Sequence, residues 1–277
     1  MKRWNTFGYS LIELMIALTL GLILAASIVQ AVLAAGQHYR VSQTLARIME
    51  GGHFALDLIA SDIRRAGYWG LFTASSGEGT GLGVGGTLST VEPNPRCELN
   101  VASWAKMIDR PLLGFNDSAV DYNCISGSDY LRGDILLSRH VTSLPIGIAG
   151  KAVAGRQYRD GGIYLRGGMS EAKLFRGRDK LADRNELDVF TALDYPLKIH
   201  AYYVGLTNRR CQGERIPALF RKRLTATGKR RREELIAGIE NIQFQYLIDG
   251  QYFDASPAIN WSSVSAVKVW VLSRAIC

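Results

Sequence analysis

Two groups near the start of the chain could do charge chemistry: Glu13, a carboxylate at the mouth of a long apolar run, and the Gly8-Tyr9 peptide bond. Cutting that bond would create a new α-ammonium at Tyr9, four residues ahead of Glu13, and so a cation available to an anion. Solvation sets the need for one. An ionised carboxylate at the centre of a bilayer costs about 2.5 to 3.5 kcal/mol on insertion scales. At the headgroup level the same side chain reaches water unaided. Position alone leaves both readings open.

Four cysteines, Cys97, Cys124, Cys211 and Cys277, form no C-x-x-C pair, and His38, His53, His140 and His200 are scattered, so a zinc site is the weaker reading. In an exported region disulfides are the stronger one. Three connectivities are open. Pairing of neighbours, Cys97 with Cys124 and Cys211 with Cys277, is expected because the first pair closes a loop rich in turn residues. Structural free thiols are the alternative.

Ten basic side chains fall within 24 residues, Arg209 to Arg232, and only Glu214 interrupts them. Such runs are usually solvated faces. The functional readings use Arg209, Arg210, Arg221, Arg223, Lys229, Arg230, Arg231 and Arg232 as a surface for an acidic partner or for DNA phosphates. No aromatic is interleaved from Lys229 to Arg232, which weakens the DNA reading. Nothing points to an enzyme: there is no GxSxG and no metal-ligand cluster, and no cofactor is expected. The glycines at 77, 79, 81, 83, 85 and 86 lack the lysine and the strand-then-helix setting of a phosphate loop. Asp249 and Asp254 lack the spacing of a calcium loop, so a turn is expected there.

The elements that must position these groups begin with the apolar run. Leu14 to Ala35 is 22 residues with only Thr19, Ser27 and Gln30 polar, about 33 Å as a helix, long enough to cross a bilayer. Lys2 and Arg3 ahead of it put Met1 in the cytoplasm. A cleaved secretory signal, cut near Ala31 to Gly36, is the alternative. The helical pattern continues through Val41, Leu45, Ile48, Gly52, Leu56, Ile59, Ile63 and Ala66, with charged residues on other faces. Gly51-Gly52 predicts a kink or local melting. Gly67-Tyr68-Trp69-Gly70 predicts the helix end.

Beyond it, a 277-residue chain of net charge +8 and 47% hydrophobic content has enough material for a folded head. Alternating runs predict strands at 134–141, 162–166, 187–191, 198–205, 218–224, 241–248 and 266–272, with a hairpin turn at Asp249-Gly250. The fold class is α+β: a long N-terminal helix, transmembrane then amphipathic, packed on a C-terminal antiparallel β-rich head.

Gly8-Tyr9-Ser10-Leu11-Ile12-Glu13-Leu14-Met15 resembles the class III signal of type IV prepilins and type II secretion pseudopilins. The resemblance implies a pilin-like fold, cleavage by prepilin peptidase between Gly8 and Tyr9, N-methylation of Tyr9, and a role for Glu13 in subunit assembly through the amine of a neighbour. Tyr9 stands where phenylalanine is commoner and keeps the ring. The segment from Met49 to Gly70, and the block from Leu235 to Tyr246 with Asp249-Gly250, Trp261 and Val267 to Arg274, resemble the PilW family of minor pilins. A cysteine often follows the last glycine of the first segment in those relatives, and here Leu71 stands in its place.

The organisation implied is a leader at 1–8, a transmembrane half-helix at 9–35, an amphipathic half-helix at 36–70, a glycine-rich loop region with a disulfide at 71–128, and a β-rich head at 129–277. The implied function is a minor pilin that helps prime pilus assembly near the tip. Its partners would be other minor pilins, the major pilin, prepilin peptidase and a large tip adhesin. It would reside in the inner membrane with the head in the periplasm, and then in the pilus on the cell surface. The alternatives are a type II secretion minor pseudopilin of the J type, a DNA-binding uptake pilin, and a membrane-anchored periplasmic binding protein.

Overall fold

The computed structural model describes residues 10–73, 82–84, 108, 110–120, 122, 124–179 and 192–276. It divides into two units, Met1–Arg47 and Ile48–Cys277. Helix α1 runs over Leu11–Arg65. Its first turn starts at Ser10, whose carbonyl takes the amides of Glu13 and Leu14 at 3.0 and 3.1 Å. It stops where Gly67 takes φ +79°, a left-handed conformation that glycine adopts without a Cβ penalty. Arg64 and Arg65 sit in the last turn, where the helix dipole favours cations.

The local melting expected at Gly51-Gly52 is not seen: α1 is helical through both. One side chain of the sheets lies near each glycine, Ile236 by Gly51 and Ser273 by Gly52. The Ser273 hydroxyl also donates to the Ile48 carbonyl at 3.3 Å.

Thirteen strands follow among the described residues. The first ten are β1 (Leu82–Val84), β2 (Leu112–Phe115), β3 (Arg132–Val141), β4 (Gly147–Ile148), β5 (Lys151–Ala152), β6 (Ile163–Gly167), β7 (Ala172–Arg176), β8 (Leu193–Cys211), β9 (Glu214–Leu224) and β10 (Arg230–Ala237). They form one sheet ordered β1-β7-β6-β8-β3-β2, with β9 and then β10 added beside β8 and the small β4–β5 hairpin joined to it. The remaining three, β11 (Ile239–Ile248), β12 (Gln251–Asp254) and β13 (Ala266–Ser273), form a second sheet in the order β12-β11-β13. All pairings are antiparallel except that of β1 with β7.

Six of the seven expected strands are present, and 187–191 lies outside the described residues. The hairpin turn is the two-residue Asp249-Gly250, both at positive φ (49° and 82°), the backbone that matches the twist of β11 and β12. β11 alternates as a half-buried strand must: Ile242, Phe244 and Tyr246 are buried while Asn241, Gln243 and Gln245 are only partly so. On β13, Val267, Val269 and Val271 are partly buried, and Lys268, Trp270 and Leu272 are exposed.

The main core joins Ala55 and Ile59 of α1 to Ile135, Leu137, Tyr202, Ile242, Phe244 and Tyr246 from both sheets. A second cluster gathers Trp69, Phe72, Val141, Leu165, Leu174 and Tyr195. Where β2 crosses this core there is no room for a side chain, because a Cβ at Gly114 would run into the Tyr246 hydroxyl and touch Ala255. Gly114→Ala is therefore expected to destabilise the head by about 1 to 3 kcal/mol, the usual cost of overpacking. Urea unfolding of the head followed by tryptophan fluorescence measures it, and wild-type stability would mean that β2 can shift.

Candidate functional site

The N-terminal site is built on α1. Gly8 and Tyr9 lie outside the described residues; Glu13 stands in the first turn, exposed. Helix N-termini favour negative charge, so the first turn is a suitable place for this acid. Downstream, Leu14, Ile16, Leu18, Leu20, Leu22, Ile23, Leu24, Ile28, Val29, Val32 and Leu33 are each more than half exposed. α1 is long and apolar enough to cross a membrane. So much apolar surface needs lipid or other helices to cover it.

The far end of α1 carries a different device. Asp62, on the same face as Ala55 and Ile59, is 4% exposed and has two donors from the sheet. His200 Nδ1 on β8 bonds its Oδ2, and the Tyr202 hydroxyl donates to the same oxygen at 2.5 Å. The buried Ser138 hydroxyl on β3 donates to the Asp62 backbone carbonyl at 3.0 Å. His140 packs edge-on against His200, with ring centroids 5.8 Å apart. Burial alone would raise the Asp62 carboxyl, but the hydrogen bonds and charge of His200, with the Tyr202 hydroxyl, hold it below the usual range. Burial lowers His140 to about 4 against the pull of Asp62. Burial and the Asp62 charge push the Tyr202 hydroxyl up. This cluster clamps the helix to the sheet.

Two more buried acids tie strands together. Asp134 on β3, 1% exposed, accepts from the Asp117 amide at 3.0 Å and from the Phe244 amide of β11 at 2.7 Å, which links the two sheets. Burial, helped by the charges of Asp117 and Asp254, raises it to about 6 against those two amides. Asp194 on β8 takes both Nε and Nη2 of Arg166, at 2.7 and 3.1 Å, together with the Gly150 amide and the Tyr158 hydroxyl.

The basic run folds into β8, β9 and β10, and much of its charge is met within the head. Arg221 and Arg223 both bond Glu233, at 3.1 and 2.5 Å. Arg209 pairs with Glu234. Arg232 bonds Asp129 at 2.8 Å and lies over the Phe220 ring, 3.9 Å from its centroid. Lys222 donates to the Cys124 carbonyl, and Arg210 to the Gly213 carbonyl at 2.9 Å. Lys229 and Arg231 are exposed at one end of β10. Glu233 and Glu234 stand just past the run, and the β9–β10 register brings Glu233 opposite Arg221. Expecting β10 to be a strand would have revealed the pairing. The hydrogen-bonded Asp62, Asp134 and Asp194 carry no such local signal.

Cys124 and Cys211 are each in a disulfide. Cys97 and Cys277, and with them the expected pairing, lie outside the described residues.

Comparison with known families finds two matches. Residues 5–29 match the family described as Prokaryotic N-terminal methylation motif, and residues 201–277 match that described as Type IV Pilus-assembly protein W. The first spans Gly8, Tyr9 and Glu13; the second spans most of β8 and all of β9 to β13. No curated protein and no solved structure matches the chain.

The buried ionisable groups give the head a pH signature. His140 titrates near 4 when folded and near 6.5 when unfolded, so its contribution is present above pH 6.5 and is lost as pH falls towards 4, by at most about 1.4 kcal/mol per pH unit. Asp134, raised to about 6, acts oppositely: its contribution is full below about pH 4 and is lost as pH rises through 6. The two slopes offset each other in the wild type. His140→Phe is expected to unmask the Asp134 slope, becoming more stable relative to wild type at each step from pH 6.5 down to 4. Unfolding midpoints that differ by a constant across that range would show that His140 does not titrate as described.

Proposed function

We propose that this chain, which its two family matches support as a type IV pilus minor pilin of the PilW family, helps to start pilus assembly with other minor pilins near the tip of the fibre. Prepilin peptidase would remove residues 1–8 and methylate the new amine of Tyr9. The apolar half of α1, residues 9–35, would hold the mature protein in the inner membrane with its head in the periplasm until it enters the fibre. The observation that carries this reading is an exposed apolar helix with one carboxylate, Glu13, in its first turn, inside the methylation-motif match.

The physical step is charge neutralisation. In lipid, an unpaired Glu13 and an unpaired amine each carry a desolvation cost; between neighbouring subunits they satisfy one another, and only one axial register brings them together. Pairing thus favours assembly and fixes its spacing. Head contacts with partner pilins, and with a large adhesin above them, would use surfaces outside the core. The outer face of the second sheet suits such a contact, with Trp270 47% and Leu272 56% exposed beside each other on the edge strand β13. Trp is enriched among residues that dominate binding energy at interfaces.

DNA capture has less to work with. Of the eight cations considered for it, four (Arg209, Arg221, Arg223 and Arg232) are in ion pairs with acids of the same head. Each neutralised side chain reduces the counterion release that drives phosphate binding.

Two measurements test the pilus reading. Mass spectrometry of the mature protein should find methylated Tyr9 at the N-terminus; a chain that begins at Met1 would refute the processing step. Glu13→Ala should insert in the inner membrane as wild type does and be depleted at least several-fold from sheared pili, and wild-type incorporation would remove the charge-pairing step. For the head, Trp270→Ser with Leu272→Ser should leave the unfolding midpoint unchanged and weaken cross-linking to partner minor pilins. Undiminished cross-linking would move that contact elsewhere.

A further inference from the structure

Glycine is the least favourable residue but proline for a helix interior, and α1 carries two in succession, Gly51 and Gly52. At several positions of the head close packing accounts for glycine: a Cβ at Gly114 would run into Tyr246, and one at Gly205 into the Asp129 carbonyl. In α1 it does not. A Cβ at Gly51 would lie 3.5 Å from Ile236 Cγ2, and one at Gly52 3.4 Å from Ser273 Oγ, which are ordinary contacts. Neither residue has positive φ, so backbone conformation does not require glycine either. Alanine fits at both positions and would strengthen the helix.

A second observation lies at the same turn. Ser273 Oγ donates to the Ile48 carbonyl at 3.3 Å, the carbonyl that an α-helix pairs with the amide of residue 52. A donor therefore already stands at the acceptor that would be orphaned if the Gly52 amide left. Burial is thin here as well: Ile48, Gly51 and Gly52 are only partly buried, and the first fully buried residue of the face is Ala55.

We propose that Ile48–Gly52 is a built-in opening point of α1. The Gly52 amide leaves the Ile48 carbonyl, Ser273 keeps that carbonyl bonded, and the helix bends at this turn while the turns from Ala55 to Asp62 stay packed. The glycine pair lowers the cost of the opened backbone, and the serine lowers the cost of the broken hydrogen bond. Such a point would let the helix open at this turn without unfolding the head.

Residue-resolved hydrogen exchange on the full chain in detergent micelles tests this without reference to fibre incorporation, so its failure is separate from that of the pilus reading. Amides of residues 52–55 should exchange faster than those of 58–64. Gly51→Ala with Gly52→Ala should slow them roughly 20-fold, following the propensity difference at two positions. Ser273→Ala should also slow them, about fivefold, because opening then leaves a carbonyl without its replacement bond. If Ser273 were only a tether, its removal would speed exchange. That result, or wild-type protection at 52–55 equal to that at 58–64, or exchange unchanged by the two alanines, would overturn the proposal.

Discussion

One helix meets two solvents, and the rest of the molecule follows from that constraint. From Leu11 to Arg47 every residue of α1 is exposed, and most are apolar. From Ile48 onwards the same helix buries Ala55, Ile59 and Asp62 on a single face. Backbone hydrogen bonding is satisfied within the helix in either setting, so the chain stays helical whether lipid or protein surrounds it. Only the side chains change with the environment: leucine, isoleucine and valine all round where lipid or neighbouring helices must cover them, and a narrow inward face where the sheets do.

What fixes the inward face is polar as well as apolar. Ala55 and Ile59 fix it by close packing; Asp62 adds a polar requirement, because its carboxylate leaves water only where His200 and Tyr202 meet it. Buried charge is weak evidence for stability, since desolvation offsets most of the gain, but it is demanding about register. Asp134 plays the same part between the sheets, accepting one amide from the loop before β3 and one from β11. Arg166 and Asp194 repeat it between β6 and β8. Each of these acids would be left unsatisfied by a one-residue slip, and a slip in a strand also turns its apolar row outwards.

How much of this was legible depended on range. The apolar span, the first-turn acid, the helix end at Gly67 and the alternation of β11 and β13 are patterns of near neighbours, and the sequence carries them openly. β10 was not legible: Arg230-Arg231-Arg232-Glu233-Glu234 has no apolar alternation, and it is a strand because β9 offers a backbone edge, with Glu233 opposite Arg221 although Arg231 and Arg232 face Arg223 and Lys222. β8 extends well past the expected 198–205, through Thr207 to Cys211, because β9 holds its polar half across a register shift. The buried acids were the least visible. Asp62 reads as one more charge on an amphipathic helix, and only the fold, which brings His200 from 138 positions away, gives it a partner.

The basic run shows why a charge count misleads about recognition. Read along the chain, Arg209 to Arg232 holds ten cations and one acid; read across the strands, Glu233, Glu234 and Asp129 enter the same neighbourhood. A carboxylate between Arg221 and Arg223 also does structural work, since each guanidinium is then partly desolvated and held against the sheet. The field a partner would feel is that of Lys229 and Arg231 more than of the paired arginines, and exposed cations of that kind steer encounters and set salt dependence more than they fix affinity. Strong binding by the head would have to come from exposed aromatic and aliphatic surface. Much of the charge on the basic strands is met within the head, whereas β13, with Trp270 and Leu272 in the open, is one place that has apolar surface to offer.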